Sequence, residues 1–137
     1  MDIIFTEDHT GAEQGILDLY NNAGWKAYTR EPARLMQAIR NSNYVLMARE
    51  GSKLVGLIRT VGDGTTITYI QDILVHSDYK RRGIGRQLMR RTLDKFAGVR
   101  QKVLLTEDNP ETRGFYESLG FLSCDRGELV SFVILEL

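Results

Sequence analysis

The chain has 137 residues, 42% of them apolar and 26% charged, with 18 basic and 18 acidic side chains and a formal net charge of zero. That balance excludes bulk electrostatic attraction to nucleic acid or membrane. The one cysteine, Cys124, excludes an intrachain disulfide.

The length suits a single domain spanning 1–137, long enough to bury a core without covalent staples. Residues 3–5 (Ile-Ile-Phe) are a short strand candidate. The N-terminus has no basic lead and no long apolar run, so no signal peptide is expected. With no stretch near the roughly 20 apolar residues of a membrane span, a soluble, cytoplasmic protein is expected.

Residues 11–22 place Ile16, Leu17 and Tyr20 on one helical side. Gly24 and Trp25 interrupt that pattern. Residues 31–40 form a second helix, with Pro32 in its first turn and Leu35, Met36 and Ile39 on its apolar face. Residues 44–49 and 54–61 are β-prone runs around Glu50-Gly51-Ser52-Lys53, a hairpin signal. Gly62-Asp63-Gly64 makes a second turn, where Asp63 serves turn chemistry. Residues 66–75 follow as a long β-branched strand.

Next comes Tyr79-Lys80-Arg81-Arg82-Gly83-Ile84-Gly85-Arg86, and then Ile84, Leu88, Leu93 and Phe96 recur at helical spacing. The glycines therefore sit where a loop enters a helix. The first N–H groups of a helix lack internal partners and lie at the positive end of its dipole. Glycine lets an anion approach them closely. Arg81, Arg82 and Arg86 add charge, and six of the 18 basic residues fall between Lys80 and Arg91. This is the composition of a phosphate or pyrophosphate seat.

Residues 102–106 form a short strand, and strand–helix–strand implies a right-handed crossover to a parallel pair. Asn109-Pro110-Glu111 opens another helix with a cap residue, an N1 proline and a first-turn acid. Gly120 closes it. Residues 121–124 and 129–137 end the chain as strands. The order β-α-α-β-β-β-α-β-α-β-β is a mixed α/β (α+β) fold. We expect a twisted mixed sheet of about seven strands flanked by about four helices, with one splayed parallel pair.

Two stretches together, Asp72-Ile73-Leu74-Val75-His76-Ser77-Asp78-Tyr79-Lys80-Arg81-Arg82-Gly83-Ile84-Gly85 and Asn109-Pro110-Glu111-Thr112-Arg113-Gly114-Phe115-Tyr116-Glu117-Ser118-Leu119-Gly120-Phe121, resemble the GNAT superfamily of N-acetyltransferases. The former is similar to its Gln/Arg-x-x-Gly-x-Gly/Ala pyrophosphate loop, with Lys80 where Gln or Arg is usual. The latter is similar to its Asn…Phe-Tyr-x-x-x-Gly-Phe helix. With the element order, the resemblance covers nearly the whole chain.

That resemblance implies transfer of acetyl from acetyl-CoA, the co-substrate, to a primary amine. The backbone of Arg81, Arg82, Gly83, Ile84, Gly85 and Arg86 would hold the pyrophosphate. Ile73, Leu74 and Val75 would pair with the peptide-like CoA arm, and an N–H near Leu74 would polarise the thioester carbonyl. Asn109 and Phe115 would face the coenzyme. Tyr116 would be the general acid: a phenol with a pKa of about 10 against a thiol of about 8.5 makes full transfer uphill by roughly 2 kcal/mol. For the general base, Asp72, Glu107, His76 and an ordered water chain stay open.

The acceptor, a small-molecule or peptide amine, is expected at the variable front of the chain. Trp25 and Tyr28 are the lining candidates with Asp72, whereas Tyr20 and Tyr44 read as core. The family often dimerises through late strands, which leaves a homodimer open. No metal, nucleic acid or membrane partner is expected.

A dinucleotide-binding βαβ unit would need a third glycine where Leu88 stands. A non-catalytic acyl-CoA-binding module is the alternative that keeps the phosphate loop; Tyr116 favours catalysis over it.

Overall fold

The computed structural model describes residues 2–136 of the chain. It contains β1 (Ile3–Thr6), α1 (Glu13–Asn22), α2 (Lys26–Thr29), α3 (Pro32–Asn41), β2 (Tyr44–Glu50), β3 (Lys53–Gly62) and β4 (Ile67–Val75). A 3₁₀ turn at Ser77–Tyr79 leads to α4 (Ile84–Lys95), β5 (Gln101–Leu104), α5 (Pro110–Ser118) and a last 3₁₀ turn at Cys124–Arg126. Contacts divide the chain between Leu105 and Thr106 into two compact units, and the first holds the whole sheet. No helix among the described residues is long and apolar enough to cross a membrane.

The sheet runs β1-β2-β3-β4-β5, antiparallel until the last step, which is parallel. One face is covered by α1 to α3. Ile16, Leu19 and Tyr20 of α1 and Leu35, Met36 and Ile39 of α3 pack there on Val45, Met47, Leu57 and Leu74. Removing such side chains from water stabilises the fold by about 1.5–3 kcal/mol each. The other face takes α4 through Ile84, Leu88 and Met89. A Cβ at Gly56 would lie 3.1 Å from Ile84 and 3.2 Å from Leu88, so the missing side chain in mid-strand lets α4 settle close to β3.

Two local features shape β4. Between β3 and β4 the register slips: Arg59 opposes Asp72 but the next residue, Thr60, opposes Ile70. Gln71 is therefore the extra residue of a β-bulge. Successive side chains on a strand alternate faces. Arg59 lies two residues from Leu57, so Asp72 is turned to the α1–α3 face while Ile70 goes to the other. The second feature is the short parallel partner. β5 pairs only with Ile67–Ile70 and ends at Leu104. The outer edge of β4 over residues 71–75 has no strand partner among the described residues.

The expected inventory needs one correction. Among the described residues there are five strands, not about seven: residues 121–124 and 129–136 carry no strand, and Leu137 lies outside the described residues. A strand exists only when another strand supplies the ladder, and among the described residues of the second unit α5 and a 3₁₀ turn are the regular elements. The described residues hold five α-helices where about four were expected, the short α2 forming directly after the Gly24 break. Gly24, at φ +78°, ends the first helix, and the chain re-enters a helix one residue later.

Candidate active site

The loop before α4 has an unusual backbone. Gly83 is left-handed at φ 79° and ψ 9°. Arg81 sits at φ 65°, the one described non-glycine residue at positive φ. Left-handed geometry in a long side chain costs roughly 1–3 kcal/mol and concentrates at functional loops. Positive-φ residues in a turn that leads into a helix are the kind of backbone from which anion-binding nests are built. The first α4 hydrogen bond runs from Gln87 N–H to Gly83 O at 3.0 Å. The helix thus offers no acceptor to the N–H groups of Ile84 and Gly85, and no side chain caps this end. α5 is the contrast: Asn109 Oδ1 accepts from Thr112 N–H at 2.8 Å and closes that N-terminus.

Side chains fix the loop from below. Tyr79 is buried, and its hydroxyl donates to Glu50 at 2.8 Å. The Arg82 guanidinium lies 4.8 Å from the Tyr79 ring centre and the Lys53 ammonium 5.3 Å from it. Both cations gain from the ring's negative face. His76 is held from three sides. Its Nδ1 accepts from Asp78 N–H at 3.1 Å, its backbone N–H donates to Val55 O at 2.8 Å, and its ring meets Tyr79 edge-on.

A buried polar cluster lies one residue before Ile73. Asp72, 4% exposed, accepts on Oδ2 from Arg59 Nε at 2.6 Å and from the Tyr20 hydroxyl at 2.9 Å. Its Oδ1 accepts from the Tyr28 hydroxyl at 2.9 Å. Arg59 also donates to Ser42 at 3.2 Å. Burial works against the Arg59 charge, but the adjacent carboxylate outweighs it and holds the guanidinium above its usual range. Burial first, and then the Asp72 charge, push the Tyr20 and Tyr28 phenols up, so both stay protonated donors. Tyr20, Trp25 and Tyr28 pack ring against ring at 5.3–6.2 Å, with Tyr20 fully buried and the other two half-buried.

Comparison with known proteins decides the family. A family model described as an acetyltransferase (GNAT) domain matches residues 7–131. A GNAT-family acetyltransferase of Streptococcus pneumoniae superposes with a TM-score of 0.87 at 32% identity, covering 98% of each chain. The chain belongs to the GNAT family.

Curated GNAT relatives include an uncharacterized N-acetyltransferase, ycf52, of Pyropia yezoensis, 24% identical over 76% of this chain and 61% of its own. Another is GCN5-related N-acetyltransferase 1, chloroplastic, of Arabidopsis thaliana, 28% identical over 69% of this chain and 49% of its own. This chain thus spans only about half to three-fifths of the length of these relatives.

Within the GNAT fold, the residues expected from sequence fall into separate groups. Arg81, Arg82, Gly83, Ile84, Gly85 and Arg86 form the loop and first turn of α4. Ile73, Leu74 and Val75 lie on the unpaired edge of β4, with Leu74 buried in the core. Trp25, Tyr28 and Asp72 come together in one cluster. In the second unit, Tyr116 is flanked by Phe115 and Phe121 at ring distances of 5.1 and 5.8 Å. Burial pushes its phenol up, partly offset by a hydrogen bond with Thr106.

Arg59 and Gln71 were not singled out from sequence. Arg59 had a signal: an arginine inside Leu54-Val55-Gly56-Leu57-Ile58-Arg59-Thr60-Val61 cannot be buried without a paired acid. The Gln71 bulge had none, because it is a property of register.

Proposed function

We propose that this chain transfers acetyl from acetyl-CoA to a primary amine by direct attack in a ternary complex. The observation that carries the reading is the juxtaposition of two positive-φ residues, Arg81 and Gly83, an α4 N-terminus with no side-chain cap, and a β4 edge with no strand partner beyond Ile70 among the described residues. That loop suits the CoA pyrophosphate, whose charge the helix N-terminus favours. The open edge over Ile73, Leu74 and Val75 suits the amide-bearing arm of CoA. An N–H near Leu74 is placed to stabilise charge developing on the thioester oxygen.

The amine lone pair attacks the thioester carbon, a C–N bond forms and the C–S bond breaks. The departing thiolate takes its proton from Tyr116, a role resting on the Asn109…Phe115-Tyr116…Gly120-Phe121 pattern. Burial raises the phenol, which makes it a weaker acid, so its contribution is a hydrogen bond that strengthens and gives up the proton only as charge builds on the sulfur. The attacking nitrogen loses one proton to solvent and the Tyr116 phenolate takes one back from solvent, so the phenol is restored and no net proton is gained or lost.

Calorimetry with acetyl-CoA and with NAD, followed by thiol release with a panel of amines, tests the reading. We expect binding of the first nucleotide only, and release with at least one amine. Binding without release by any amine would support the non-catalytic module instead.

A further inference from the structure

Arg59, Arg113 and Arg126 each hold a carboxylate at 2.6–3.0 Å, which commits their charge inside the protein. Arg82 is held in another way. Its guanidinium lies 4.8 Å from the centre of the Tyr79 ring, and among the described residues no acid forms an ion pair with it. An aromatic face attracts a cation through its quadrupole without cancelling the charge. The guanidinium is therefore steadied and still available to an anion. A carboxylate partner would first have to be displaced.

The ring is itself fixed from two sides. Tyr79 is buried and closes the 3₁₀ turn, where its N–H donates to His76 O at 2.8 Å. Its hydroxyl donates at 2.8 Å to Glu50, the last residue of β2, which pairs with Lys53 across the β2–β3 turn. The anchor thus comes from a hairpin 29 residues away in sequence. The Glu50 bond first, and then burial, push the phenol up, so it stays a neutral donor. The Lys53 ammonium lies 5.3 Å from the same ring centre and adds like charge near Arg82, which an arriving anion would relieve.

Place and shape both single out this guanidinium. Arg82 immediately precedes the left-handed Gly83, and no side chain caps the helix that follows. Lys80, two residues earlier, carries a point charge. Arg82 presents a planar fork that matches two oxygens of a phosphate at once.

We infer that Tyr79, anchored by Glu50, is a positioning residue that holds Arg82 ready as the bidentate side-chain donor to the coenzyme's diphosphate. This rests on the acetyl-transfer reading and deepens its coenzyme site. A side chain ordered in advance loses less freedom when the ligand arrives. Tyr79 acts through Arg82 and need not touch the ligand.

The test is calorimetry on the intact chain with CoA and with 3′-dephospho-CoA, which keeps the diphosphate. Arg82→Ala should weaken both ligands about tenfold. Arg82→Lys keeps the charge but loses the fork, and should weaken them nearly as much. Tyr79→Leu should cost several-fold when Arg82 is present and less than about twofold in the Arg82→Ala background, because the two side chains act as one unit. Tyr79→Phe keeps the ring and loses the Glu50 bond, so it should fall between wild type and Tyr79→Leu. Should Tyr79→Leu not fold, Tyr79→Phe and Glu50→Leu supply the same cycle with Arg82→Ala.

An unchanged affinity in Tyr79→Leu, or an equal loss with and without Arg82, overturns the inference: the ring would then shape the loop and not seat the guanidinium. Wild-type affinity in Arg82→Lys overturns the bidentate role. An Arg82→Ala loss seen with CoA and absent with the dephospho form would assign the guanidinium to the 3′-phosphate and overturn the diphosphate. A wild-type chain that binds neither ligand overturns the coenzyme reading itself.

Discussion

Asn22, at the end of α1, is bonded twice to Ser77: its Nδ2 donates to the Ser77 hydroxyl at 2.9 Å, and its Oδ1 accepts from Ser77 N–H at 2.8 Å. Ser77 opens the 3₁₀ turn that leads into the Arg81–Gly83 loop. One carboxamide thus ties the helix bearing Tyr20 to the loop proposed to hold pyrophosphate. Both bonds are solvent-exposed, so each contributes about 0.5–1.5 kcal/mol. Asn22→Ala should lower Tm by a few degrees and weaken CoA binding several-fold, read by thermal melts and calorimetry. An unchanged affinity would mean that the loop holds its shape without this tie.

The second prediction concerns Arg81. Its φ of 65° is strained for an arginine and ordinary for glycine. Arg81→Gly removes that strain, worth about 1–2 kcal/mol, but gives the unfolded chain more freedom. We expect Tm to hold or rise slightly. Arg81→Val, β-branched at the same φ, should lower Tm clearly. Melts of both variants decide the matter: equal destabilisation would show that the side chain, not the backbone, matters here.

Much of this architecture was legible in the residues themselves. The hairpin around Glu50–Lys53, the Pro32 and Pro110 helix starts and the Gly83 junction each follow from local chemistry. That chemistry acts within a few residues and does not depend on what lies opposite. The end of the chain did not follow, because residues 129–136 have strand composition but a strand is a relation between two segments. The bulge at Gln71 was hidden for the same reason. Without it Ile70 and Asp72 would share a face, and nothing in Tyr69-Ile70-Gln71-Asp72 announces that they do not. The Asp72 cluster could be read only in part: the acid was a candidate, but its three donors come from β3, α1 and α2, at sequence distances of 13, 52 and 44 residues.

Asp63 supplies a pH-dependent prediction. Its carboxylate accepts from Thr66 Oγ1 at 2.6 Å and from the N–H groups of Thr65, Thr66 and Ile67 at 2.7–3.1 Å. The Thr66 hydroxyl first, and then these amides, hold it well below the usual carboxylate range. A depressed folded-state value stabilises the protein above the unfolded value of about 3.9, and that gain is lost as pH falls toward the folded one. Asp63→Asn should therefore lower Tm at neutral pH, by an amount that stays constant down to about pH 5 and shrinks below about pH 4. Melts across that range check it. A difference that grows on acidification would give the shift the wrong sign.

Gly83→Val and Tyr116→Phe separate binding from chemistry. Gly83 at φ 79° has open space around its would-be Cβ, so the cost of a side chain there lies in the backbone. A β-branched residue resists left-handed geometry, and the N–H groups that follow it would be re-aimed. CoA affinity should fall about tenfold or more, with turnover by saturated enzyme less affected. Tyr116→Phe keeps the ring between Phe115 and Phe121 but removes the proton. Turnover should drop by about 10²-fold or more, as for a lost general acid, with CoA affinity little changed. Calorimetry on both variants and saturating kinetics on both give four numbers. Equal, mild effects in all four would contradict the division of labour between the loop and the phenol.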